Sequence, residues 1–170
     1  VRQRQMLGLG HAILTGEPLL GNKPFAVILA DDLCHNVDDG VISQLIEIYK
    51  KYKCSVIAIQ EVPLFQAENY GVIFGESING MNDTFRVTNM LEKPKPKDLI
   101  NFVGDGINLE NSVNLKAIVG RYILTPDIFD ILRNIKPSKN GEIQITDALL
   151  HQAKKGKVIA YKFKGNRFDC

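Results

Sequence analysis

Between Pro24 and Val62 the apolar residues change period twice, and this restricts the fold more than any other feature of the sequence. Phe25 to Leu29 is a short, continuous apolar run of strand length, the pattern of a strand covered on both sheet faces. Val41, Ile42, Leu45, Ile46, Ile48, Tyr49 and Tyr52 then recur at helical spacing, which predicts a helix over 41–52 with a broad buried face. Ser55 to Val62 (SVIAIQEV) return to strand character. Strand, helix, strand predicts a right-handed parallel crossover.

The rest of the chain extends this pattern. Residues 7–20 read as a short helix and its exit, with Pro18 ending the run. Tyr70 to Gly75 is a strand, Asn79-Gly80 marks a turn, and Thr84 to Leu91 returns antiparallel. Pro94 and Pro96 bar residues 92–98 from any central strand, because each removes a ladder donor. The polar segment 99–114 reads as a loop with a short helix. Ala117 to Leu124 is a strand, Thr125 suits an N-cap, and Pro126 suits the first position of a helix over 126–134. A second helix, 144–155, stops at Gly156, and Lys157 to Phe163 closes as a strand. Residues 1–170 read as one mixed α/β unit, long enough to bury a core.

Composition excludes several classes. A net charge of +2 gives no reason to expect nucleic-acid binding. No 18-residue apolar stretch predicts a membrane span, and no signal peptide is visible. Cys34, Cys54 and Cys170 show no metal-ligand spacing, which fits a reducing cytosol and predicts a cytoplasmic protein. His11, His35 and His151 are scattered and read as structural or solvent-facing. The chain starts at Val1 and ends directly after an Asp, so both ends read as cut.

The strand at 25–29 runs into two carboxylates, Asp31 and Asp32. In open parallel sheets, ligands bind outside the carboxyl ends of strands. Magnesium bound to phosphates takes one or two protein carboxylates, so Asp31 is a candidate metal mount. The same pair also suits a turn or helix cap. Three other stretches can carry ligand chemistry. Gln3 precedes Gly-Leu-Gly, and its amide donates and accepts together, as a base edge requires. Gly71 opens a strand where a sugar could lie against the backbone, or it marks a bulge. Glu92 and Lys93 end a strand side by side, where one could take sugar hydroxyls and the other a phosphate. Neighbouring strand residues face opposite ways, so the two need not pair with each other.

The ordered set GLGHA, VILADD, YGVI, EKPKP, AIVGRYIL, GEIQITDAL and FDC resembles the bacterial UTP–glucose-1-phosphate uridylyltransferase family, also called UDP-glucose pyrophosphorylases. The resemblance runs from Val1 to Cys170. It implies a Rossmann-like α/β fold: a mixed, mainly parallel sheet flanked by helices, incomplete in this chain. It implies an enzyme that joins UTP and glucose 1-phosphate into UDP-glucose and pyrophosphate with Mg2+. By motif, Gln3 and Gly8 would contact uracil. Gly71, Glu92 and Gly120 would hold glucose. Lys93 would contact the sugar phosphate, and Asp31 and Asp169 would flank the metal. Relatives of this kind self-associate. Glu142, Thr146 and Asp147 belong to the family signature and are read as placing a helix beside the sugar site.

One family motif is missing. No G-x-G-T-R segment is present to grip a triphosphate. The resemblance therefore implies that these residues alone are inactive. Two other enzyme readings share the motifs: a nucleotidyltransferase for another base or sugar, and a metal-dependent glycosyltransferase. A non-catalytic nucleotide-sugar-binding module is the reading that the missing loop favours.

Overall fold

The computed structural model describes residues 1–95, 97–99 and 114–169. The predicted loop over 99–114 therefore lies almost wholly outside the described residues. Helices α1 (Gly8–Thr15) and α2 (Glu17–Leu20) come first, with Pro18 in the opening turn of α2 instead of ending a helix. Proline is tolerated there because the first-turn N–H groups have no intrahelical partner. Strand β1 (Phe25–Ile28), strand β2 (Asp32–His35) and helix α3 (Val41–Tyr52) follow. Then come β3 (Ser55–Pro63), a 3-10 turn (Leu64–Asn69), β4 (Gly71–Ser77) and β5 (Thr84–Glu92). The chain closes with β6 (Asn114–Leu124), α4 (Ile128–Asn134), α5 (Ile145–Ala153), β7 (Val158–Lys162) and β8 (Asn166–Asp169).

The main sheet has six strands in the order β1-β6-β3-β7-β5-β4. The expectation of a mainly parallel sheet is corrected here: β3 with β7 is a parallel pair, while β1–β6, β3–β6, β4–β5, β4–β6 and β5–β7 are antiparallel. The predicted crossover from β1 through α3 to β3 does join two strands of the same direction. They do not pair, because β6 lies between them, antiparallel to both. The prediction that β1 is covered on both faces also fails. β1 ends the sheet, and Ile28 is 59% exposed.

Strand β6 organises the rest. One of its edges pairs with β3 along most of its length. The other edge takes β1 at Arg121–Leu124 and β4 at Lys116–Ala117. Residues 118–120 therefore face a gap between the end of β1 and the start of β4. On one side of the sheet, α4, α5 and α1 pack over Ile57, Ile59, Tyr122 and Leu124. On the other, α3 covers Val56, Ala58, Val119 and Ile123 through Val41 and Leu45. A separate two-stranded ladder, β2 with β8, sets Asp32 opposite Asp169.

The turn at Asn79-Gly80 is as predicted, with both residues at positive φ. Thr125 is not an N-cap. Its hydroxyl lies 3.0 Å from Ser55 Oγ and accepts from Gln152 Nε2 at 3.0 Å, while its N–H donates to Ser55 Oγ at 3.1 Å. This cluster is the polar seam between β3, β6 and α5, and Gln152 within it is fully buried. Thr125→Val strips Gln152 of its one side-chain partner, so the variant is expected to lose about 1–3 kcal/mol in urea unfolding.

Candidate functional site

The gap on the edge of β6 opens into a cavity of about 310 Å3. Leu29 and Asp31 come from the end of β1 and its following turn, Gly71 from the start of β4, and Ile118, Gly120 and Tyr122 from β6. Glu92 and Lys93 come from the end of β5, and Gln144, Ile145 and Thr146 from the start of α5. The structure thus brings together Asp31, Gly71, Glu92, Lys93 and Gly120. Gln3 and Gly8 lie beside this cavity rather than in its lining, joined to it through Leu9. Asp169 is placed by its backbone alone, across the ladder from Asp32.

Glu92 and Lys93 open into the same space although they are neighbours in sequence. Strand alternation would separate them. Lys93, however, has φ +45°, outside the strand region, and this turn of the backbone cancels the alternation. The Lys93 N–H donates to Tyr70 O at 3.0 Å, which anchors the turn. Glu92 Oε2 accepts from Thr146 Oγ1 at 2.9 Å. Desolvation pushes the Glu92 carboxyl up from its ordinary value, and the Thr146 hydrogen bond and Lys93 pull the other way.

Gly71 faces Glu92 across the β4–β5 ladder. A Cβ at Gly71 would stand 3.0 Å from Thr146 Cγ2 and 3.2 Å from Glu92 Oε2, so it would fill the space beside the carboxylate. Gly120 is more constrained. A Cβ there would stand 2.6 Å from Asp32 Oδ2 and 2.6 Å from Leu29 Cβ. Buried Tyr122 forms part of the cavity lining. Burial pushes its hydroxyl up, and the Glu92, Asp32 and Asp31 carboxylates add to the effect, so it stays protonated and can donate.

The two aspartates that end the β1 run have different fates. Asp31 is exposed at the cavity rim. Asp32 is buried, accepts the Gly120 N–H at 2.7 Å and is ion-paired with Arg167. Its own carbonyl accepts from Arg121, whose guanidinium also donates to Leu29 O at 2.8 Å and Gly120 O at 2.9 Å. Arg167 further donates to the Tyr70 hydroxyl at 3.0 Å. Arg121, Arg167, Tyr70 and Tyr122 escaped the sequence reading. Arg121 and Tyr122 lie within AIVGRYIL and Tyr70 opens YGVI, but the motifs assign them no role; each acquires its place through pairing with distant residues.

Gln3 Nε2 donates to Gly8 O at 3.2 Å and lies 2.9 Å from His11 Nδ1. Gly8 has φ +85°, and a Cβ there would stand 2.9 Å from Glu142 Cβ. The stretch around Gly8 docks on the stretch around Ile143 through Ile143 N–H to Leu7 O at 2.8 Å and Gly10 N–H to Ile143 O at 2.9 Å. Two sequence motifs thus meet as one backbone contact.

The contrast between the aspartates is testable by urea unfolding. Asp32→Ala removes the buried ion pair with Arg167 and the acceptor of the Gly120 N–H, and is expected to destabilise the chain by about 3 kcal/mol. Asp31→Ala is expected to stay within about 0.5 kcal/mol of the parent chain.

The nucleotidyl transferase family profile matches residues 1–168. The UTP–glucose-1-phosphate uridylyltransferase of Pseudomonas aeruginosa is 56% identical over 170 residues, covering 99% of this chain and 56% of that protein. A crystal structure of UDP-glucose pyrophosphorylase complexed with UDP-glucose superposes with a TM-score of 0.85 at 53% identity, over 100% of this chain and 59% of that one. A UTP-bound UDP-glucose pyrophosphorylase from Acinetobacter baumannii gives 0.78 at 30% identity, over 100% of this chain and 54% of that one. The chain thus spans little more than half the length of these relatives. Among the described residues, no helix is long and apolar enough to cross a membrane. The profile match over nearly the whole chain places it in the nucleotidyl transferase family.

Proposed function

We propose that the chain carries the sugar-phosphate and base-reading parts of a UTP–glucose-1-phosphate uridylyltransferase site. The observation that carries this reading is the shared opening of Glu92 and Lys93 into one cavity beside Gly71. A carboxylate that accepts from hydroxyls, set next to an ammonium that meets a phosphate, is matched to a sugar phosphate. The UDP-glucose complex of one relative and the UTP complex of another support the choice of ligands.

In the proposed reaction a phosphate oxygen of glucose 1-phosphate attacks the α-phosphorus of UTP. The bond from that phosphorus to the bridging β-phosphate oxygen breaks, and pyrophosphate leaves with the electron pair. The attacking phosphate is already an anion, so no general base is required. What the site must supply is alignment and charge. Lys93 holds the sugar phosphate and offsets its charge as the new bond forms. Glu92, oriented by Thr146, accepts from sugar hydroxyls, and Gly71 and Gly120 let the ring approach the backbone.

The donor set fits a magnesium ion held mainly by phosphates. Among the described residues no group of three or more His, Cys, Asp or Glu forms a closed metal cage. Asp31 is a free-standing carboxylate at the rim, and Asp169 occupies the rung opposite Asp32. Asp31 and Asp169 would hold the ion, which when bound neutralises phosphate charge. Asp32 is unsuited to that role, because both its carboxylate oxygens are engaged by Gly120 and Arg167.

Calorimetric titration of UDP-glucose tests the reading. Binding is expected, and Glu92→Ala is expected to weaken it about tenfold or more. A folded chain that binds no UDP-glucose, or one indifferent to Glu92→Ala, overturns the proposal. The pH dependence has a definite sign. Glu92 accepts sugar hydroxyls when ionised, so affinity should fall as pH drops toward its raised folded value. For the free chain the sign is reversed. A raised folded value means that the group opposes folding at neutral pH and stops doing so as pH falls through that value. Glu92→Gln should flatten both trends.

A further inference from the structure

The amide of Gln3 is oriented by the protein, and His11 supplies half of that orientation. Gly8 O is a carbonyl oxygen and can only accept, so the Gln3 atom 3.2 Å from it must be the amide nitrogen. That nitrogen also lies 2.9 Å from His11 Nδ1, which must therefore accept the second amide hydrogen. His11 is then the neutral tautomer with its proton on Nε2. Both Gln3 amide hydrogens are engaged within the protein. Oε1 remains the one hydrogen-bonding atom of this half-buried side chain still able to take a new partner, and it can only accept.

We infer that His11 is a positioning residue for nucleobase choice: by fixing the Gln3 amide it presents a lone acceptor that selects bases with a ring N–H donor and rejects cytosine. The inference rests on the reading of Gln3 as a base contact. Uracil offers N3–H to such an acceptor, whereas cytosine N3 is a bare lone pair that would face Oε1 with no hydrogen between them. Thymine presents the same ring N–H as uracil, so this contact does not separate those two. Without the His11 acceptor, the freed amide hydrogen is available to a cytosine N3, and the amide can turn to suit either base. Specificity here comes from the partner that the wrong base leaves unpaired.

The test compares UDP-glucose with CDP-glucose by calorimetry on the full chain. The parent chain should prefer UDP-glucose, and His11→Ala should shrink the preference about tenfold. His11→Asn, whose carbonyl oxygen can stand where Nδ1 stood, should retain it. His11→Gln, whose acceptor falls at the Nε2 position, should behave like His11→Ala and replaces it if that variant does not fold. In a Gln3→Ala background His11→Ala should change nothing further. Equal weakening of both ligands by His11→Ala and His11→Gln would reduce His11 to a packing role and overturn the inference, as would a His11 effect that survives Gln3→Ala. A parent chain that binds both ligands equally overturns it while leaving the sugar site intact. A parent chain that binds neither overturns the uridylyltransferase reading, and this inference with it.

Discussion

The site depends on one interrupted edge. Strand β6 gives one side to β3, and the other side is shared by β1 and β4, which meet it at opposite ends. A gap in a ladder ordinarily leaves backbone donors unsatisfied, at a cost comparable to a lost hydrogen bond each. Here the Asp32 carboxylate takes the Gly120 N–H, and Leu29 N–H covers the Gly120 carbonyl at 2.9 Å. A buried carboxylate in turn requires a counter-charge, and Arg167 provides it from β8. The cavity exists because the sheet opens at this point, and the opening is tolerated because Asp32 and Arg121 close its backbone valences and Arg167 balances the Asp32 charge.

This chain of dependencies explains what could be read beforehand. Period and turn chemistry locate α3, β3, β5 and the Asn79-Gly80 turn, since each is decided by residues close in sequence. Partner choice is not local. An apolar run such as Phe25–Leu29 looks the same whether it becomes a central parallel strand or the antiparallel end strand it is. The β2–β8 ladder joins segments at opposite ends of the chain, and each is four residues long, too short to announce itself. The residues that share the cavity could be picked out where family motifs carry them, at Asp31, Gly71, Glu92, Lys93 and Gly120. Asp32 was legible only as one of a pair, and its buried role, with Arg121, Arg167 and Tyr122, became visible only when the chain was folded.

The docking of α1 on the segment before α5 gives a physical reason for two motifs at once. Gly10 has no room for a side chain, because a Cβ would stand 2.6 Å from the Ile143 carbonyl oxygen. Backbone approach that close brings the start of α1 against the segment that leads into Gln144 and Thr146, which line the cavity. Gln144 is itself held, donating to Glu142 Oε2 at 2.7 Å. The Gly8 stretch and one wall of the cavity therefore share a backbone seam.

The left-handed backbone at Lys93 sets stability and chemistry against each other. Glycine and asparagine adopt that conformation with little strain, while a lysine there costs on the order of 1 kcal/mol. The residues best suited to the backbone have no ammonium, and the residue that carries the ammonium is poorly suited to the backbone. Selection for thermal robustness alone would drift this position toward glycine and leave a sturdier chain whose cleft has lost its ammonium. A lysine held in this conformation is thus a mark of purpose that a screen for folded protein would erase.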